Sequence, residues 1–218
     1  MGKKESKSFK NQLKAGFMAG ALRMAIGVSS VFAGNSINKI NQSNARIEQE
    51  SNESMSEQQE FIEKISKDAI EAGKKYNIYP SVIIAQASCE SGFGKNQDNN
   101  NLFSLKATSE TSEYWDGESV PVPVTTGNYG QPNNSFKVYK ALEDAIYDYA
   151  RTIGTLDRFK PAIEAYDNGK GAKAQLRAIA NGGYSETPNY AETLYNNYIK
   201  PYNLEKYDDC LKENGIEK

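Results

Sequence analysis

The segment from Pro80 to Cys89, PSVIIAQASC, narrows the fold more than any other part of the chain. Val82, Ile83, Ala85, Ala87 and Cys89 make it nearly all apolar. Proline is favoured in the first turn of a helix, where its missing N–H is no loss. A helix that is apolar on every side has no face to offer water, so it has to lie at the centre of a packed domain. Gly92 and Gly94 end it.

The flanking segments supply what packs around this helix. Phe61, Ile62, Ile65, Ala69 and Ile70 recur at helical spacing between Glu57 and Tyr76, which predicts a helix with Ser56 as its N-cap. From Asp98 to Gly130 the character changes to asparagine runs with Gly117, Gly127, Gly130, Pro121 and Pro123. Val120, Val122 and Val124 alternate with proline there and read as a short edge strand. After Phe136 the helical period returns, with Leu142, Ala145, Ile146, Tyr149, Ala150 and Ile153 on one face. Further helices are expected at about 158–167, 172–180 and 188–199, with Asn181-Gly182-Gly183 as a breaker. The fold class is therefore α+β and mostly helical, with a small irregular β lobe flanking a cleft.

The first quarter of the chain is different in kind. Lys3, Lys4, Lys7, Lys10 and Lys14 precede an Ala-, Gly-, Met- and Val-rich run from Ala15 to Gly34. Residues 1–34 read as a leader, either a secretory signal or a membrane-associating segment, with Arg23 interrupting the apolar run. Residues 35–56 are polar and read as a linker or a frayed helix. The folded domain is placed at 57–207 and a short tail at 208–218.

Among 218 residues there is no histidine. That removes hydrolases built on a Ser–His or Cys–His pair. It also argues against a catalytic zinc site, which usually includes an imidazole ligand. No metal or organic cofactor is indicated. A net charge of −2 gives no overall basic field for nucleic acid. Hydrolysis in such a chain falls to carboxylates, and carboxylate chemistry points first to glycosidic bonds.

Glu90 is the carboxylate that stands out, because it ends the apolar helix just before Ser91-Gly92-Phe93-Gly94. A carboxyl at the edge of an apolar helix is partly desolvated, which disfavours its charged form. A carboxylic acid still protonated near neutral pH can protonate a leaving glycosidic oxygen. The residue type alone fits equally well a helix-end glutamate bonded to nearby backbone.

Four ordered motifs then resemble glycoside hydrolase family 73, the bacterial endo-β-N-acetylglucosaminidases. They are the stretch Pro80 to Gly94, Asn100-Asn101-Leu102-Phe103-Ser104-Leu105-Lys106, Phe136 to Ile146, and Gly183-Tyr184-Ser185-Glu186-Thr187-Pro188-Asn189-Tyr190-Ala191. The resemblance spans roughly residues 58–205. It implies a lysozyme-like fold that cleaves the N-acetylglucosaminyl-β-1,4-N-acetylmuramic acid backbone of peptidoglycan outside the cytoplasmic membrane. It also implies Glu90 as general acid and Tyr190, or next Tyr184, as the active-site tyrosine. Asn101, Phe103 and Trp115 are candidates to line the cleft. The family's second glutamate has no counterpart, because Gly127 stands in Thr125-Thr126-Gly127-Asn128-Tyr129 where it would be expected. Glu110, Glu113 and Glu118 lie earlier in the lobe, and Glu118 is the candidate second carboxylate.

Overall fold

The computed structural model describes residues 34–121 and 135–214. The leader up to residue 33, the Val122 and Val124 part of the expected strand, and Gly127 with its neighbours lie outside the described residues. Helix α1 runs from Gly34 to Tyr76. It passes through Ser56, so that residue is no N-cap, and the polar segment before it is helical. The reason is local: no glycine or proline interrupts residues 35–72, and Glu, Gln, Lys and Met are good helix formers. Among the described residues, no helix is long and apolar enough to cross a membrane.

From Gln58 onward the chain forms one compact unit. The second half of α1 places Ile62, Ile65 and Ala69 in its core. Asn77 closes α1 in the left-handed conformation at φ 57°. The Ile78 N–H then bonds back to the Gly73 carbonyl at 3.0 Å. A Cβ on Gly73 would meet the Ile78 carbonyl oxygen at 2.5 Å, so only glycine fits the return.

Helix α2, Pro80–Ser91, is the central element expected from its composition. Val82, Ile83, Ile84, Ala85 and Ala87 are all fully buried. Burying a Val or Ile side chain contributes roughly 1.5–3 kcal/mol, so this helix anchors the core. Both ends are held by groups distant in sequence or by turn chemistry. Asp208 accepts from the Ser81 backbone N–H at 2.8 Å and from the Ser81 hydroxyl at 2.7 Å. That carboxyl does the work of a cap on the otherwise unpaired first turn. At the other end Gly92, at φ 60°, donates its N–H to the Ser88 carbonyl.

A two-stranded antiparallel sheet follows, β1 Ser119–Pro121 and β2 Ser135–Lys137, with Val120 opposite Phe136. Helices α3 Leu142–Thr155, α4 Lys160–Asp167, α5 Ala172–Asn181 and α6 Tyr190–Leu194 complete the α part. A π-helical turn over Tyr195–Ile199 continues α6. Each lies where the apolar period placed a helix. Gln175 on α5 stitches the layers together. Its amide accepts from the Tyr79 N–H at 2.8 Å and donates to the Asn77 and Ala162 carbonyls at 3.0 Å.

The β lobe is seated on α3 by a buried charge cluster. Asp148 on α3 accepts from the Lys137 ammonium at 2.7 Å, the Tyr139 hydroxyl at 2.8 Å and the Ser112 hydroxyl at 2.7 Å. Three donors offset the cost of burying this carboxylate. The Lys137 ammonium also sits 4.4 Å from the centre of the Trp115 ring.

Candidate active site

The last turn of α2 carries Glu90 to the edge of the core, where its side chain is half-buried. The start of α6 brings Tyr190 against it. Asn189, left-handed at φ 59°, turns the chain into α6, and the Tyr190 ring is buried. The Tyr190 hydroxyl donates to Glu90 Oε1 at 2.9 Å. Burial pushes the Glu90 carboxyl above the ordinary glutamate value, and the Tyr190 hydrogen bond opposes that rise. Glu90 therefore holds its proton to higher pH than a solvated glutamate, and a donor is already aimed at the carboxylate left when the proton departs.

Aromatic side chains form the wall behind this pair. Tyr184 and Tyr190 have ring centres 6.0 Å apart, and Tyr184 meets Tyr149 edge-on at 5.8 Å. The Tyr184 hydroxyl donates to the Phe103 carbonyl at 3.3 Å. Burial holds the hydroxyls of Tyr149, Tyr184 and Tyr190 well above the usual phenol range, so all three stay protonated. Burial likewise pushes the Cys89 thiol up to about 12, which leaves it inert beside Glu90.

Two residues that the sequence reading did not single out complete the arrangement. Gln86, one helical turn before Glu90 and fully buried, donates through Nε2 to the Tyr190 hydroxyl at 3.1 Å. Tyr149 on α3 donates its hydroxyl proton to Gln86 Oε1. A glutamine four residues before a glutamate, on a helix whose other polar side chains are three small serines, was the available signal. A buried carboxamide needs partners at both ends.

The other residues singled out from the sequence fall elsewhere. Phe103 is 3% exposed and stacks on Tyr149 with ring centres 4.1 Å apart, so it backs the wall rather than facing a ligand. Asn101 spends its carboxamide on backbone, donating to the Leu105 and Lys137 carbonyls at 2.9 and 3.0 Å and accepting from the Leu105 N–H at 2.9 Å. It ties the loop after α2 to β2. Trp115 is 3% exposed, donates to the Glu118 carbonyl at 2.7 Å and has Lys137 over its ring. Its flat face serves the lobe's interior and is closed to a sugar. Glu118 is exposed and its charge acts on Lys140. Among the described residues no hydrogen bond or ion pair joins Glu118 to Glu90. Glu110 is also exposed, and Glu113 pairs with Lys75 at 3.3 Å.

The sequence profile of the glucosaminidase family, described as mannosyl-glycoprotein endo-beta-N-acetylglucosaminidase, matches residues 66–204. The chain belongs to the glucosaminidase family. Both Glu90 and Tyr190 fall within the matched region of this glucosaminidase-family chain. Its fold is lysozyme-like, and it superposes on the catalytic domain of the autolysin Auto from Listeria monocytogenes with a TM-score of 0.57 at 30% identity, covering 83% of this chain and 100% of that domain. A glycoside hydrolase domain of FlgJ from Salmonella typhimurium gives a TM-score of 0.54 at 26% identity, covering 66% of this chain and 98% of that one. The exo-glucosaminidase LytG of Bacillus subtilis is 28% identical over 172 residues, 72% of this chain and 56% of LytG. An N-acetylmuramoyl-L-alanine amidase domain-containing protein of Staphylococcus aureus is 33% identical over 163 residues, 69% of this chain. The chain spans 25% of that protein's length and 56% of LytG's.

Proposed function

We propose that this chain hydrolyses the glycan strand of peptidoglycan at the β-1,4 bond between N-acetylglucosamine and N-acetylmuramic acid, with Glu90 as general acid. The observation that carries the reading is the half-buried Glu90 carboxyl, raised by burial from its ordinary value and hydrogen-bonded to Tyr190 at one oxygen. That group donates a proton to the bridging oxygen as the bond to the anomeric carbon breaks; a water oxygen bonds to that carbon, and the proton it releases restores the acid. Tyr190 stabilises the carboxylate that forms. Tyr184 lies beside the acid and packs against the Tyr190 ring.

The sugar to the non-reducing side of the cut is argued from the relatives. LytG is named an exo-glucosaminidase, and the family description is an N-acetylglucosaminidase. Auto is an autolysin, and FlgJ relatives are named peptidoglycan hydrolases. These names favour wall glycan as the substrate class, and cleavage after N-acetylglucosamine rather than after N-acetylmuramic acid. Peptidoglycan lies outside the cytoplasmic membrane, so the chain has to reach it either by export or membrane attachment, for which the basic leader at 1–34 is the candidate, or by delivery through a phage or conjugation machine.

Mass spectrometry of fragments released from purified peptidoglycan tests the bond assignment. N-acetylglucosamine at the new reducing ends is the expected result. N-acetylmuramic acid there would make the chain a muramidase. Anhydro-muramic ends would make it a lytic transglycosylase, in which the substrate's own hydroxyl replaces water.

A further inference from the structure

We propose that Gln86 is a positioning residue that fixes the direction of the Tyr190 hydroxyl and thereby places the transferable proton on Oε2 of Glu90. The proposal rests on the reading of Glu90 as general acid and adds which of its two oxygens faces the sugar.

One chain of hydrogen bonds sets the direction of each proton around Glu90. The Tyr149 hydroxyl donates to Gln86 Oε1. A carboxamide held by its oxygen in this way presents Nε2 at the other end, and Nε2 has only protons to offer. The Tyr190 oxygen receives one of them at 3.1 Å. A hydroxyl carries a single proton, and that of Tyr190 goes to Glu90 Oε1 at 2.9 Å. An oxygen that accepts this bond uses a lone pair for it. The acid's own proton is thus placed on Oε2, to which no hydrogen bond is made among the described residues.

Turning the Gln86 amide over reverses everything downstream. Tyr190 would then donate to the amide oxygen, and Glu90 would lose its donor. Tyr149 prevents this, because its hydroxyl proton needs an acceptor at that end. Tyr149 is itself fixed by stacking on Phe103 with rings 9° from parallel. Burial keeps both tyrosines protonated, so neither serves as a base and both remain donors. The titratable groups around Glu90 are Cys89 on its own helix, Tyr149 on α3, Tyr184 before α6, Tyr190 on α6 and Tyr198 in the π-helical turn. All are neutral, so the orientation of one hydroxyl has an outsized effect on the acid.

The chemical benefit lies in timing. A hydrogen bond to a neutral acid is ordinary, whereas one to a carboxylate is about twice as strong. The Tyr190 bond therefore strengthens as the proton leaves, and an interaction that grows toward the transition state raises kcat rather than tightening ground-state binding.

Two variants of the full chain test this. Tyr149→Phe keeps the ring but removes the proton that holds the amide, and Gln86→Leu removes the amide itself. The Glu90 carboxyl is followed by carbon-13 NMR titration, and kcat and KM are measured on purified peptidoglycan. In both variants the Glu90 midpoint is expected to move to higher pH: in Tyr149→Phe because the freed amide turns over and takes the Tyr190 proton, and by less in Gln86→Leu, where Tyr190 still donates to Glu90 but without Nε2 polarising its hydroxyl. In Tyr149→Phe kcat is expected to fall between about 10- and 100-fold, and KM to stay within about twofold. A Glu90 midpoint equal to wild type in folded protein, whatever happens to kcat, overturns the proposal and leaves Gln86 a packing residue. Should Gln86→Leu fail to fold, Tyr149→Phe decides alone. The titration needs no turnover, so a shifted midpoint in a protein that cuts no glycan would uphold the positioning role while sinking the assigned reaction.

Discussion

Tyr190 donates its hydroxyl proton to Oε1 of Glu90 across 2.9 Å, joining two residues that lie 100 positions apart. The pair couples the last turn of the buried central helix to the first turn of α6.

Glu90→Gln keeps the shape of the side chain and removes the transferable proton. Clearing of cell-wall suspensions is expected to fall by about 10²- to 10⁴-fold, the range for losing a general acid. The melting temperature should stay near wild type, because the amide still accepts from Tyr190. Near-normal turnover would withdraw the assignment.

The pH profile carries a defined sign. A general acid at Glu90 would act only when protonated, and burial raises its pKa, so under the proposed assignment activity is expected to be lost on the alkaline side as pH climbs through that raised value. Tyr190→Phe removes the interaction that opposes the rise and leaves the burial in place. Its alkaline limb is expected at higher pH than wild type, with a lower maximal rate. A limb at lower pH would contradict the hydrogen bond's assigned effect.

Asp148→Ala leaves the Lys137 ammonium buried without its partner, and removes the acceptor shared by Tyr139 and Ser112. Breaking one side of a buried ion pair costs about 3–5 kcal/mol. Urea unfolding should show a loss of that size, and a loss below about 1 kcal/mol would mean that water or another acceptor satisfies Lys137.

Glu118→Gln is expected to change kcat by no more than about twofold, because an exposed charge is screened by solvent and salt. The exposed carboxylate acts on Lys140 and makes no bond to Glu90 among the described residues. A loss of tenfold or more would restore Glu118 as the second carboxylate.

Much of this was written locally. The apolar run after Pro80 required a central helix, and a charged residue at its end had to sit at a desolvated edge, so α2 and the half-buried position of Glu90 could be read directly. The helices after Phe136 followed from their period. What stayed hidden depends on partners far along the chain. The Gln86 amide is paired with residues 63 and 104 positions away, and no local pattern records such distances. Trp115 suggested a sugar platform by its chemistry, but Lys137 covers its ring in a contact that only the folded lobe creates. The polar stretch before Ser56 suggested an interruption by its composition, yet it holds no residue that breaks a helix.

Lys137 and Asp148 meet beyond the reach of water, and dissolved ions cannot slip between them. Surface pairs such as Lys140 with Asp116 weaken as ionic strength rises, whereas this one is scarcely screened. The grip of the lobe on α3 is thus indifferent to whether the surrounding medium is dilute or briny.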